Sequence, residues 1–115
     1  LGKVKDCYQL NASQINQVNL IAKAIPCTKT HNSEVFAISN WSEDQSPEEL
    51  PPVQMMGMAS KYCPLSAKNA TIFNVVKMRL PSSAAWSSGE RWVRCEAMKF
   101  TAAGKATSWV GRKLK

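Results

Sequence analysis

The sequence predicts an α+β domain: an antiparallel sheet of about four to five strands, one main helix packed on it, and two disulfides as staples. Three observations carry this expectation. Short apolar runs, alternating or rich in β-branched residues, recur along the chain and read as strands. Residues 52–63 instead space their apolar side chains for one face of a helix. Four cysteines, Cys7, Cys27, Cys63 and Cys95, are spread over the 115 residues.

The spacing of the cysteines excludes a structural zinc site, which needs ligand pairs close enough for one tight turn. The closest pair, Cys7 and Cys27, is 20 positions apart. An even count with long spacings reads as two disulfides, which persist in an oxidising compartment. Each would stabilise the fold by roughly 3–4 kcal/mol in the chain-entropy view. Of the three pairings open to four cysteines, Cys7–Cys27 and Cys63–Cys95 join elements consecutive in the chain, and these are expected.

In order along the chain, residues 6–10 read as a first strand and residues 11–13 as a turn. Residues 15–25 fit either period: Ile15, Val18, Ala22 and Ile25 make a helix face, while Val18, Leu20, Ala22 and Ala24 alternate. A strand over 18–25, stopped by Pro26, is the expectation. Residues 34–39 form a buried strand. Residues 40–52 are a polar connector in which Ser46, Pro47 and Glu49 have the grammar of a helix start. The main helix begins near Pro52, with Val53, Met56, Ala59 or Ser60, and Cys63 on one face, and Pro64 closes it. Residues 71–80 read as a strand with Ile72, Val76, Met78 and Leu80 on one side and Lys77 and Arg79 on the other. A Ser/Ala-rich loop over 81–89 leads to a strand over 91–100. A turn at Ala103, Gly104 and Lys105 then leads to a final strand around 107–110.

At this length the chain is one domain, residues 1–115, and 44% hydrophobic content argues against disorder. No run approaches the roughly 20 apolar residues of a membrane span. The opening residues carry no apolar signal core, so an exported protein is expected to have its signal or anchor outside this chain. The net charge is +7. That balance suits anionic lipid or an anionic wall polymer. The lysines are scattered singly, and the one basic run, Arg112 to Lys115, sits at a chain end where a solvated or frayed segment is the default; nucleic acid is therefore not the expected partner.

Four stretches follow one pattern. Lys5-Asp6-Cys7 stands where the pattern has Gly-Asp-Cys. Ile25-Pro26-Cys27, a short polar loop, and His31-Asn32-Ser33-Glu34-Val35-Phe36 match Val-Pro-Cys followed by His-x-x-Glu-Val-Phe. Cys63 matches a cysteine near the end of the helix. Pro81 to Cys95 matches Pro-Thr-x-x-x-Trp-x-x-Gly-Asp-Arg-x-Val-x-Cys, with Trp86, Gly89, Arg91, Val93 and Cys95 in place. In these residues the chain resembles the septum formation domain of actinobacterial envelope proteins, over nearly its whole length. It departs at Lys5 for Gly, Ser82 for Thr and Glu90 for Asp. The resemblance implies an extracytoplasmic domain of a lipoprotein or membrane-anchored protein tied to cell division, with partners among envelope or division proteins. It implies no particular chemistry.

The candidate polar network is His31, Glu34, Trp86 and Arg91. His31, the sole histidine, stands three residues before Glu34, a spacing open to acid–base work. No nucleophile elbow accompanies the pair, the cysteines are committed to bridges, and no acidic cluster suggests a metal, so no cofactor is expected. The structural expectation is that His31 fixes its loop, Trp86 packs at the core edge and Arg91 pairs with a carboxylate such as Glu34 or Glu90. The functional alternative for Trp86 and Arg91 is an aromatic-plus-cation platform. The leading function is a non-enzymatic binding or scaffold module of the envelope. The alternatives are an envelope hydrolase or transferase using His31 and Glu34, and a secreted basic module binding anionic polymers. Sequons at Asn11, Asn40 and Asn69 keep a glycosylated secreted domain in view.

Overall fold

A computed structural model describes residues 2–20, 22–40 and 63–115. Four strands, β1 (Cys7–Tyr8), β2 (Ser33–Asn40), β3 (Val75–Arg79) and β4 (Trp92–Met98), form one antiparallel sheet in the order β1-β2-β4-β3. β4 is central and is covered on both sides, so every residue from Val93 to Met98 is buried. A one-residue irregularity between Val35 and Ala37 shifts the β2–β4 register. The bulge places Phe36 beside Ala37 in one apolar cluster, while Val35 and Ile38 pack in the other.

Those two clusters are the core. Tyr8, Leu10, Ile15, Leu20, Val35 and Met98 form one; Met78, Leu80, Val93 and the Cys63–Cys95 pair form the second. The disulfides are Cys7–Cys27 and Cys63–Cys95, the pairing expected from chain order, with Cα–Cα distances of 5.4 and 5.5 Å.

The described helices are three short ones, α1 (Ala12–Ile15), α2 (Ala67–Ala70) and α3 (Ser83–Ser87), rather than one main helix on the sheet. Each starts at a side-chain cap: Asn11, Ser66 and Ser82 each accept from a backbone N–H of the first turn, and Asn11 forms a reciprocal capping box with Gln14. α1 and α3 replace the expected turn at 11–13 and loop at 81–89. The expected helix over 52–63, apart from Cys63, and the helix start near Ser46 lie outside the described residues.

Two expected strands are corrected. Residues 18–25 form no strand among their described residues; Ile25 makes a single bridge to Cys7. The start of the segment is held another way: Val18 O accepts from Leu80 N, and just before it the Gln14, Ile15 and Gln17 carbonyls accept from the Arg79 guanidinium. The final strand is reduced to isolated bridges, because the chain changes partner along its length. Thr107 bonds Lys99, whereas Trp109 exchanges both backbone bonds with His31. The strand expected from residue 71 starts at Val75 because α2 ends at Thr71 and Asn74 is tied through its side chain to Phe100.

Candidate functional site

Glu34, on β2, is fully buried, and its carboxylate collects four donors. His31 Nε2 lies at 3.0 Å, Trp109 Nε1 at 2.6 Å, Lys113 N at 2.9 Å and Leu114 N at 3.1 Å. Burial works to raise its pKa, and the backbone N–H of Lys113 with the other donors overcomes this, so the carboxyl stays below its ordinary range. His31 is equally buried. Its Nδ1 lies 2.8 Å from the Lys29 carbonyl and its Nε2 faces Glu34, so both ring nitrogens are engaged inside the fold. Trp109 stacks edge-on against His31, with ring centroids 5.2 Å apart. The tail is therefore held: Gly111 N bonds Cys27 O, Arg112 bonds Lys5 O, and Lys115 N bonds the Asn69 side chain. The frayed basic tail expected from sequence is corrected to a segment anchored by its backbone.

Trp86 and Arg91 lie in a separate unit. The Arg91 guanidinium sits 4.0 Å over the Trp86 ring and donates to the Trp86 and Glu90 carbonyls at 2.6 and 2.9 Å. The expected carboxylate partners are engaged otherwise: Glu34 by the donors above, and Glu90 by the Trp92 indole N–H at 3.1 Å. The four residues expected as one network thus divide into a His31–Glu34 centre and a Trp86–Arg91 stack.

Sequence reasoning missed a third unit. Arg79 on β3 and Arg94 on β4 are directly opposite in register, and both reach Glu96. Arg79 makes a fork of 3.0 and 3.2 Å, Arg94 Nε lies at 3.1 Å, and Ser33 Oγ donates to the same carboxylate at 2.8 Å. All four residues are buried. The signal was available in the alternation of Arg94 and Glu96 along one face of β4, with Arg79 across from them: two facing arginines repel unless a carboxylate joins them.

Beside this triad opens a cleft of about 360 Å³, bordered by Tyr8, Leu20, Leu80, Trp92, Arg94 and Asp6. Burial pushes the Tyr8 phenol up, the Arg94 guanidinium pulls against it, and Asp6 and Glu96 add to the rise. Gly2 also lines the cleft, and a Cβ there would come within 2.5 Å of the Tyr8 hydroxyl.

Cys7, His31 and Glu34 place potential metal-binding atoms within 4.8 Å of one another. The Cys7 sulfur is consumed in its disulfide and the Glu34 oxygens face four donors, so the geometry does not suit an ion. The sequon at Asn69 is closed in this fold, since that side chain is buried and accepts from Lys115 N. No family model, curated protein or solved structure matches this chain. Two disulfides fit an oxidising, extracytoplasmic environment, and no helix among the described residues is long and apolar enough to cross a membrane.

Proposed function

We propose that this is a non-enzymatic extracytoplasmic binding or scaffold module of the cell envelope, held near the membrane by an anchor outside this chain and linked to septum formation. The observation that favours this over an envelope hydrolase is the enclosure of His31 and Glu34. Both side chains have no exposed surface, and their polar atoms are spent on internal bonds. An acid–base pair must reach its substrate. The septum-formation link rests on the motif resemblance alone. The cleft beside Trp92 and Arg94 is the binding surface in this reading, since it combines an indole wall, a guanidinium and apolar floor residues. The net charge of +7 favours an anionic partner, an envelope protein or wall polymer.

The test is sedimentation with cell-wall and membrane fractions at low and physiological salt, run beside assays of wall hydrolysis. Binding should weaken as salt rises and should fall in Trp92→Ala. Turnover of wall material that His31→Ala abolishes in a folded protein would replace this reading with an enzyme.

A further inference from the structure

The two disulfides sit in opposite environments. Cys63–Cys95 is buried within an apolar cluster of Met78, Leu80 and Val93. Cys7–Cys27 has an arginine beside one sulfur and the His31–Glu34 pair beside the other. Arg112 Nη2 lies 3.4 Å from Cys27 Sγ, while a His31 ring nitrogen and a Glu34 carboxylate oxygen both lie within 4.8 Å of Cys7 Sγ. The two sulfurs also differ in access, Cys7 being fully buried and Cys27 only half-buried. The Lys5 carbonyl, 3.8 and 3.5 Å from the two sulfurs, accepts from the same Arg112 guanidinium and so fixes it over the bridge.

From this arrangement we infer that Cys7–Cys27 is a thiol-exchange site, which accepts an incoming thiolate at Cys27 and releases Cys7. This goes beyond the binding reading and does not rest on it. A thiolate attacks along the S–S axis at the sulfur it can reach, which is Cys27. Its charge is attracted by Arg112. The bond between the incoming sulfur and Cys27 Sγ forms as the Cys27–Cys7 bond breaks, and the electron pair leaves on Cys7 Sγ beside the His31 ring. That thiolate takes a proton from solvent through the opened bridge. A second thiolate attacking the incoming sulfur completes a two-electron reduction: two thiols become one disulfide, and Cys27 leaves as a thiolate next to Arg112. The Arg112 cation beside Cys27 favours the Cys27 thiolate, which makes it a better leaving group in the second step and a more populated nucleophile for the reverse reaction. Cys63 and Cys95 are instead both fully buried beside Met78, Leu80 and Val93, where an incoming thiolate does not reach them. The co-reactant is a thiol, supplied by a small molecule or by a partner protein's cysteine.

The experiment treats the folded, oxidised chain with reduced glutathione and maps adducts and free thiols by mass spectrometry over time. A parallel arm uses a cysteine-containing peptide to separate small-molecule from protein thiols. The expected result is a mixed disulfide on Cys27, with Cys7–Cys27 opening at least about tenfold faster than Cys63–Cys95. Arg112→Gln should slow opening about threefold or more, and Arg112→Lys should restore much of it, because charge rather than access is what the pair changes. Opening of both bridges together at the rate of global unfolding would overturn the inference, as would an adduct on Cys7. An Arg112→Gln rate equal to that of the unmodified chain would do the same. The adduct position on the unmodified chain decides the matter even if the Arg112 variants fail to fold.

Discussion

Lys5 carries a left-handed backbone, with φ of 75°. A side chain there costs about 1–2 kcal/mol relative to an extended conformation. The strain is held by the Lys5 N–H donating to Val35 O at 2.7 Å and by its carbonyl receiving Arg112. Glycine is the residue suited to this φ. Lys5→Gly should therefore stabilise the fold, by up to about 1 kcal/mol after the added freedom of the unfolded chain is subtracted. A denaturation midpoint that stays put or falls would show that the turn is not strained. Glu34 is the other decisive residue. Its pKa is depressed in the fold, so its contribution is complete above the unfolded carboxyl value of about 4.3 and is lost as pH falls through the folded value. Glu34→Gln should cost about 2–4 kcal/mol at neutral pH, because an amide cannot accept at both ends. It should also flatten the loss of stability below about pH 4. Urea titrations of both proteins across that window provide the check. The His31–Glu34 contact was readable from their spacing of three residues, but the other partners of Glu34 were not. Beyond His31 they are the Trp109 indole and the backbone N–H groups of Lys113 and Leu114, the last two being contacts that no side-chain pattern encodes.

At the scale of elements, the informative pair is β3 and β4. Their apolar alternation was legible: Val76, Met78, Val93 and Cys95 share a cluster as their period-two spacing requires. The opposite face was harder to read, since Lys77 and Arg79 follow the usual pattern of a solvated strand face. Arg79 instead is buried because α1 and the segment after it lie across that face and turn their carbonyls to its guanidinium. Beyond α1, the described residues up to Ile25 took neither of the two periods they fit, being held by the Arg79 side chain, the Leu80 N–H and one bridge rather than a ladder. The short capped helices were written in Asn11, Ser66 and Ser82, yet one-turn helices look like turns in any periodicity. Glu96 holds β3, β4 and β2 together through Arg79, Arg94 and Ser33. Glu96→Gln would leave two buried guanidinium groups sharing a neutral amide, and should destabilise by about 3–5 kcal/mol. Replacing the three charges together by apolar residues of similar volume should cost much less, because the desolvation of the ions disappears with them. A triple variant as unstable as Glu96→Gln would show that the triad adds more than the sum of its desolvation and pairing.

Across the whole molecule, the tail is what closes the fold onto itself. Residues 111–115 connect the Cys27 loop, the turn before β1, the buried Glu34 and α2 through four backbone N–H groups and the Arg112 side chain. The sequence marks this stretch only as a basic run, whose charge suggests solvent and whose location suggests fraying. Removing residues 112–115 would leave the Glu34 carboxylate with His31 and Trp109 alone. Two charge-assisted bonds are lost, each worth about 1.5–3 kcal/mol, so truncation should destabilise by about 3 kcal/mol after the recovered freedom of the tail is counted. Truncation combined with Glu34→Gln should cost clearly less than the two losses added, with a coupling of about 1 kcal/mol or more, since both remove the same bonds. Lys113→Gln with Lys115→Gln retains every backbone donor while deleting two exposed charges. That variant should keep the unmodified denaturation midpoint but bind anionic envelope fractions more weakly. If the charge variant unfolds as readily as the truncated chain, the anchoring resides in the lysine side chains and not in the backbone.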